Sequence, residues 1–115
     1  MSAPSEGDVI LFKPELDAKG HEQQGARPWL VVSTKAYNQA SKLAMVCPIT
    51  SHQGTASRAN AAEVLLPANC GANGVVLTFQ LQTIDWQERK ANTLGVVPIA
   101  TLKAVHRNLR LCLGL

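Results

Sequence analysis

Short apolar runs separated by polar stretches rich in glycine, proline and asparagine divide the chain. Positions 8–12 (Asp-Val-Ile-Leu-Phe), 29–33 (Trp-Leu-Val-Val-Ser), 43–49 (Leu-Ala-Met-Val-Cys-Pro-Ile) and 61–66 (Ala-Ala-Glu-Val-Leu-Leu) are too short for stable helices. Their content of Val, Ile and Leu predicts strands. The near-continuous run at 29–33 predicts a central strand, and Pro48 marks the end of the next one or a bulge in it. Positions 74–84 predict one long strand. Ser33 or Thr34 is placed to cap a short helical turn through Ala36-Tyr37-Asn38, and Asp85 to cap another over 86–90. After Pro98 the period changes. Ile99, Leu102, Val105, His106, Leu109 and Cys112/Leu113 recur every three or four residues, while Lys103, Arg107 and Arg110 take the other face. That is an amphipathic C-terminal helix, with proline at a favourable start and arginines near its negative end. Positions 1–6 are a polar lead-in expected to fray. Positions 13–25 and 51–60 predict loops, and 67–73 a turn-rich connection; a loop as long as the first is usually functional. Several short strands followed by one packed helix predict a mainly β domain with short helices and a strongly curved sheet.

Composition narrows this little. With 115 residues the chain is one domain, 1–115, and 46% hydrophobic with 17% charged residues is the balance of a folded chain. The net charge of +3 permits an anionic partner such as RNA without requiring one. Three widely separated cysteines form no zinc pattern. Cys47 and Cys112 stand in apolar runs and read as buried thiols, Cys70 as a loop thiol without a chemical role. No secretion signal and no apolar run of about 18 residues is present, so the expectation is a soluble, cytoplasmic protein with neither metal nor cofactor.

The candidate chemistry lies in Gly20-His21-Glu22-Gln23-Gln24-Gly25-Ala26-Arg27-Pro28, a charged, glycine-punctuated loop feeding straight into the strand at Trp29. A rigid scaffold displays reactive groups this way. Arg27 carries a planar fork that matches phosphate oxygens and stays protonated. Thr50, in Pro48-Ile49-Thr50-Ser51, offers a hydroxyl at the end of a strand. His21 and Glu22 are the titratable members: Glu22 is a base if desolvated, or else orients Arg27, and His21, with an unperturbed value of ~6.5, suits proton transfer or a phosphate contact. Gln23 shapes the loop or touches a base. His52 neighbours the strand end and is a candidate substrate contact. His106 falls on the helix's apolar side and reads as structural.

These pieces resemble, in order and spacing, the MazF/PemK/Kid family of toxin endoribonucleases. The likeness runs from Gly7-Asp8-Val9-Ile10 through the nine-residue loop, Ala36-Tyr37-Asn38, Val46-Cys47-Pro48-Ile49-Thr50-Ser51 and Gly74-Val75-Val76-Leu77 to Gln80 and Thr83-Ile84-Asp85-Trp86. It implies a small SH3-like β-barrel of the MazF/CcdB kind, a homodimer, and a MazE-like antitoxin partner. It also implies sequence-selective cleavage of single-stranded RNA without a metal. In that chemistry the 2′-OH attacks the neighbouring phosphate, so the enzyme supplies a base, an acid and positive charge on the phosphate oxygens. By resemblance Arg27, Thr50, Glu22 and His21 are catalytic, and Ser51, Gln23, Gln80, Phe79 and His52 meet the substrate. Two departures stand out. The Kid branch carries an arginine and an aspartate where this chain has Leu77 and Phe79, so catalysis must rest on the first loop and Thr50. Phe79 then either stacks on a base or packs in the core. The competing expectations are a gyrase poison of the CcdB kind, disfavoured because no tryptophan stands near the C-terminus, and a relative that only binds antitoxin or RNA.

Overall fold

The structure, a computed structural model, describes residues 2–12, 27–51 and 63–115. The described strands are β1 (Asp8–Leu11), β2 (Trp29–Val31), β3 (Ala44–Thr50), β4 (Glu63–Leu65), β5 (Val75–Leu77), β6 (Gln82–Ile84) and β7 (Asn92–Val96), with helices α1 (Lys35–Ser41) and α2 (Ile99–Leu113). All strand pairs are antiparallel, in the order β4-β5-β3-β2-β1-β7, with β6 also on β3. The mainly β reading with a C-terminal helix therefore holds.

β3 organises the sheet. One edge pairs with β2 along Trp29↔Pro48, Leu30↔Cys47 and Val31↔Val46. The other edge is divided: Ala44, Met45 and Val46 face β6, while Ile49 and Thr50 face β5. The long strand expected over 74–84 is thus two strands, separated by a 3₁₀ turn at Thr78–Gln80. Pro48 explains the break. The amide of Ile49 donates to the Pro28 carbonyl and the carbonyl of Met45 accepts from Val32, so odd-numbered residues of β3 bond toward β2. The nitrogen of Pro48 therefore faces the β5/β6 edge, where it has no hydrogen to give. The chain leaves the ladder there, and the Thr78 carbonyl meets the Cys47 thiol at 4.0 Å.

Alternation along the strands makes two cores. Val9, Leu30, Cys47, Ile49 and Val76 point to the side covered by Val105 and Leu109 of α2. Ile10, Phe12, Val31, Ala44, Val46 and Ile84 point to the other side, with Trp86. Helix α1 begins at the expected cap, Thr34, whose hydroxyl accepts from the Tyr37 amide, and its buried residue is Asn38. Asn38 donates from Nδ2 to the Pro4 carbonyl at 2.8 Å, so the N-terminal segment does not fray: Ala3 and Pro4 are buried.

The far ends of the sheet approach each other through the connection between β4 and β5. A β-bulge lies where Val9↔Gly95 shifts to Ile10↔Thr93, leaving Leu94 as the extra residue. A Cβ on Gly95 would overlap the Cys70 carbonyl oxygen and stand 2.9 Å from Gly71 Cα. Only glycine allows these two backbones to touch. The sheet is thereby curled into a barrel-like form, although no ladder joins β4 to β7.

Two further points differ from the sequence reading: β7 was not foreseen, and Cys112 is exposed rather than buried. Among the described residues no helix is long and apolar enough to cross a membrane.

Candidate active site

The candidate chemistry gathers where β2 begins and β3 ends. The bond from the Ile49 amide to the Pro28 carbonyl, 3.0 Å, carries the β2–β3 register one residue past the strand. One further step sets Arg27 opposite Thr50. Because the bonded pairs are 28/49 and 32/45, position 27/50 is a narrow, non-bonded pair like Trp29/Pro48. In such pairs the Cα atoms are about 4.5 Å apart and the side chains share a face. That face is the one away from α2, since Trp29 and Val46 lie on it. Arg27 is exposed and Thr50 half-buried, with Ser51 exposed beyond it. The register thus sets a residue bearing a cation opposite one bearing a hydroxyl at the rim of the sheet.

The floor beside this pair is aromatic. Phe12 lies against Trp29 with ring centroids 5.3 Å apart, and the Arg89 guanidinium sits over Phe12 at 5.4 Å. Such a cation–π contact holds a second positive charge on the same face. Its turn is fixed from both sides: Trp86 Nε1 donates to the Asn38 carbonyl at 3.1 Å, and Asp85 accepts from the Glu88 amide at 2.9 Å. The Asp85 cap was expected, but Arg89 was not singled out. Its only sequence signal is its place one turn after Trp86.

On the opposite edge of β3, Val75 faces Thr50. Leu77 is buried and, by alternation from Val75, shares the face of Thr50. Phe79 is 48% exposed, which removes core packing as its role, and Gln80 is exposed beside it. Both stand on the 3₁₀ turn, whose backbone approaches α2. Among the described residues no hydrogen bond or ring contact joins either of them to Arg27 or Thr50. His21, Glu22, Gln23 and His52 lie outside the described residues.

The other reactive groups have structural roles. Burial, helped by the neighbouring Cys112, pushes the Cys47 thiol up to about 12, so it stays protonated and is no nucleophile. The buried Cys70 thiol donates to the Pro67 carbonyl at 3.3 Å. His106 Nε2 donates to the Val32 carbonyl at 2.9 Å, the structural part expected of it.

The model of the PemK-like, MazF-like toxins of type II toxin–antitoxin systems matches residues 5–113. The chain belongs to this family. It is 38% identical over 99 residues to the endoribonuclease PemK of Escherichia coli, covering 86% of this chain and 74% of that protein. Against the endoribonuclease toxin ChpB of E. coli K12 it is 42% identical over 96 residues, covering 78% and 77%. A crystal structure of MazE–MazF from Deinococcus radiodurans superposes with a TM-score of 0.86 at 36% identity, covering 100% of this chain and 99% of that one. The family match contains the first loop, both ends of the β2–β3 pair and the whole of α2, so the resemblance in the motifs extends to the whole fold.

Proposed function

We propose that this toxin is an endoribonuclease that cleaves single-stranded RNA at selected sequences by 2′-OH attack, leaving a 2′,3′-cyclic phosphate and a 5′-OH. The observation that carries this reading is the pairing of Arg27 with Thr50 on one sheet face. Arg27 supplies charge to the phosphate oxygens as negative charge develops, and the Thr50 hydroxyl donates to a phosphate oxygen or orients the attacking 2′-OH. Proton donation by a guanidinium is the weaker role, because it releases a proton only with great difficulty. Glu22 and His21 are the two groups able to act as base, and comparison of their single substitutions decides between them. Ser51, Gln23, His52, Gln80 and the exposed Phe79 are assigned to substrate contact, Phe79 by stacking on a base. Arg89 adds charge along the RNA path.

The RNA itself brings the nucleophile, so the reaction needs no metal. The relatives' names and the MazE–MazF complex support a toxin restrained by a MazE-like antitoxin. We place it in the cytoplasm and assign the antitoxin an acidic tail. The antitoxin covers the RNA surface, and the toxin acts as a homodimer. The test is incubation of the purified protein with RNA in excess EDTA. Cleavage with cyclic-phosphate ends is expected, and a 2′-deoxy residue at the cut site should abolish it. Full cleavage of that deoxy substrate would refute 2′-OH attack, and no cleavage of any RNA would leave a toxin that acts by binding.

A further inference from the structure

We propose that Gly74 is a positioning residue for Thr50, and that the connection between β4 and β5 holds the end of β3 in place through it; this rests on the reading of Thr50 as part of the RNA site. Gly74 directly precedes Val75, the residue paired with Thr50. It is buried, with φ at +123°, a conformation that L side chains rarely adopt. A Cβ at this position would overlap the Thr50 carbonyl oxygen and stand 2.8 Å from the Thr50 carbonyl carbon and 3.0 Å from Ser51 Cα. All three atoms are backbone, so no rotamer change relieves the overlap. The Thr50–Ser51 peptide itself would have to move.

The location of this contact gives it its consequence. Arg27 adjoins Thr50 from the β2 edge, and Gly74 from the β5 edge, so Thr50 is held from both sides. Gly74 is fixed in turn, since its carbonyl accepts from the Leu66 amide at 2.9 Å. The Cys70 thiol braces the connection at the Pro67 and Ala72 carbonyls, 3.3 and 3.6 Å away. Cys70 and Gly71 then abut Gly95 of β7. A chain of backbone contacts therefore runs from the edge strand to the peptide that carries Thr50. Displacement of a reacting group by about 1 Å costs on the order of 10²-fold in rate. A substitution at position 74 thus acts chiefly on the chemical step through Thr50, with a smaller effect on substrate affinity through Ser51.

The experiment is a double-mutant cycle on RNA cleavage with G74A, T50A and the pair, each also followed by amide NMR. G74A is expected to lower kcat at least about tenfold with a smaller change in KM, and to cost clearly less in the T50A background. The Thr50 and Ser51 amide resonances should shift in G74A. Wild-type kcat in G74A, or losses that simply multiply in the pair, would overturn the proposal. If T50A cleaves like wild type, the reading of the site fails instead, and the Thr50 and Ser51 resonances alone decide whether Gly74 positions that peptide. If G74A does not fold, C70A takes its place by the same criteria, with a loss of about two- to fivefold that must shrink in the T50A background.

Discussion

Arg27 and Thr50 face each other across one narrow pair, yet removing them should have unequal effects. Arg27 is exposed and supports no core contact, so Arg27→Ala should leave the melting temperature nearly unchanged. Cleavage should nevertheless fall about 10²-fold or more, the scale at which an electrostatic donor to the transition state is lost. Arg27→Lys should recover little, because the ammonium lacks the planar fork. Thr50→Ala should cost less, since a neutral donor contributes less than a charged one. Wild-type rates for Arg27→Ala in an oligonucleotide assay would refute this site. Cys47 bears on stability alone. Its thiol pKa is raised to about 12 in the folded protein, against 9.0 for an unperturbed thiol. Below that lower value both states hold the proton and nothing is lost. Above it the unfolded state releases its proton while the folded state keeps it, so stability falls as pH rises toward 12. Urea midpoints between pH 8 and pH 10.5 should therefore decline more steeply in wild type than in Cys47→Ala, and equal slopes would contradict the burial argument.

Among the elements, α1 shows how a short helix is secured by one residue. Its seven residues are too few to be stable alone, and Asn38 is the residue it buries. Asn38 Nδ2 donates to the Pro4 and Ser33 carbonyls, its Oδ1 accepts from the Ser33 hydroxyl, and its carbonyl accepts from Trp86. Asn38→Ala removes the acceptor of the Ser33 hydroxyl proton and a donor to two carbonyls, and should cost about 1–3 kcal/mol in urea unfolding. A loss under a few tenths of that would mean that water replaces the amide. The same elements show what the sequence reveals. β1, β2 and β3 are legible because their apolar runs are buried on both faces. The Thr34 cap and α2 are legible from local chemistry and a 3.6-residue period. The break at Thr78–Gln80 is not, because its cause is Pro48, thirty residues earlier, and acts only once the strands are paired. β7 is illegible because it is held by its ladder to β1 and by Gly95, with all four of its side chains exposed. In the site, Arg27 and Thr50 were each legible from their motifs, but their pairing depends on register. Gly74 was visible only as one more residue of a resemblance.

At the scale of the whole molecule, the sheet ends at β7, whose outer edge is unpaired among the described strands. An open edge with apolar side chains is a liability unless something covers it. Val96 on this edge is 59% exposed, and Ile99 at the start of α2 is 70% exposed. Leu94, the bulged residue, is exposed as well. A second copy would meet the need through a two-fold axis that sets β7 against β7, each chain supplying the same apolar patch. A stable contact of this kind buries about 1,200–2,000 Å² in total, which requires the first turn of α2 as well as the strand. The connection at Gly71 and Gly95 would then lie directly beneath the interface, so dimer formation and the placement of Thr50 would share one strand. Wild type should sediment as a dimer at micromolar concentration. Val96→Lys should shift it toward monomer without unfolding it, because two like charges would meet at the axis. A wild-type monomer would refute the dimer. A Val96→Lys variant that stays dimeric would move the interface to another surface, for which the exposed Leu111, Leu113 and Leu115 at the end of α2 are the next to substitute.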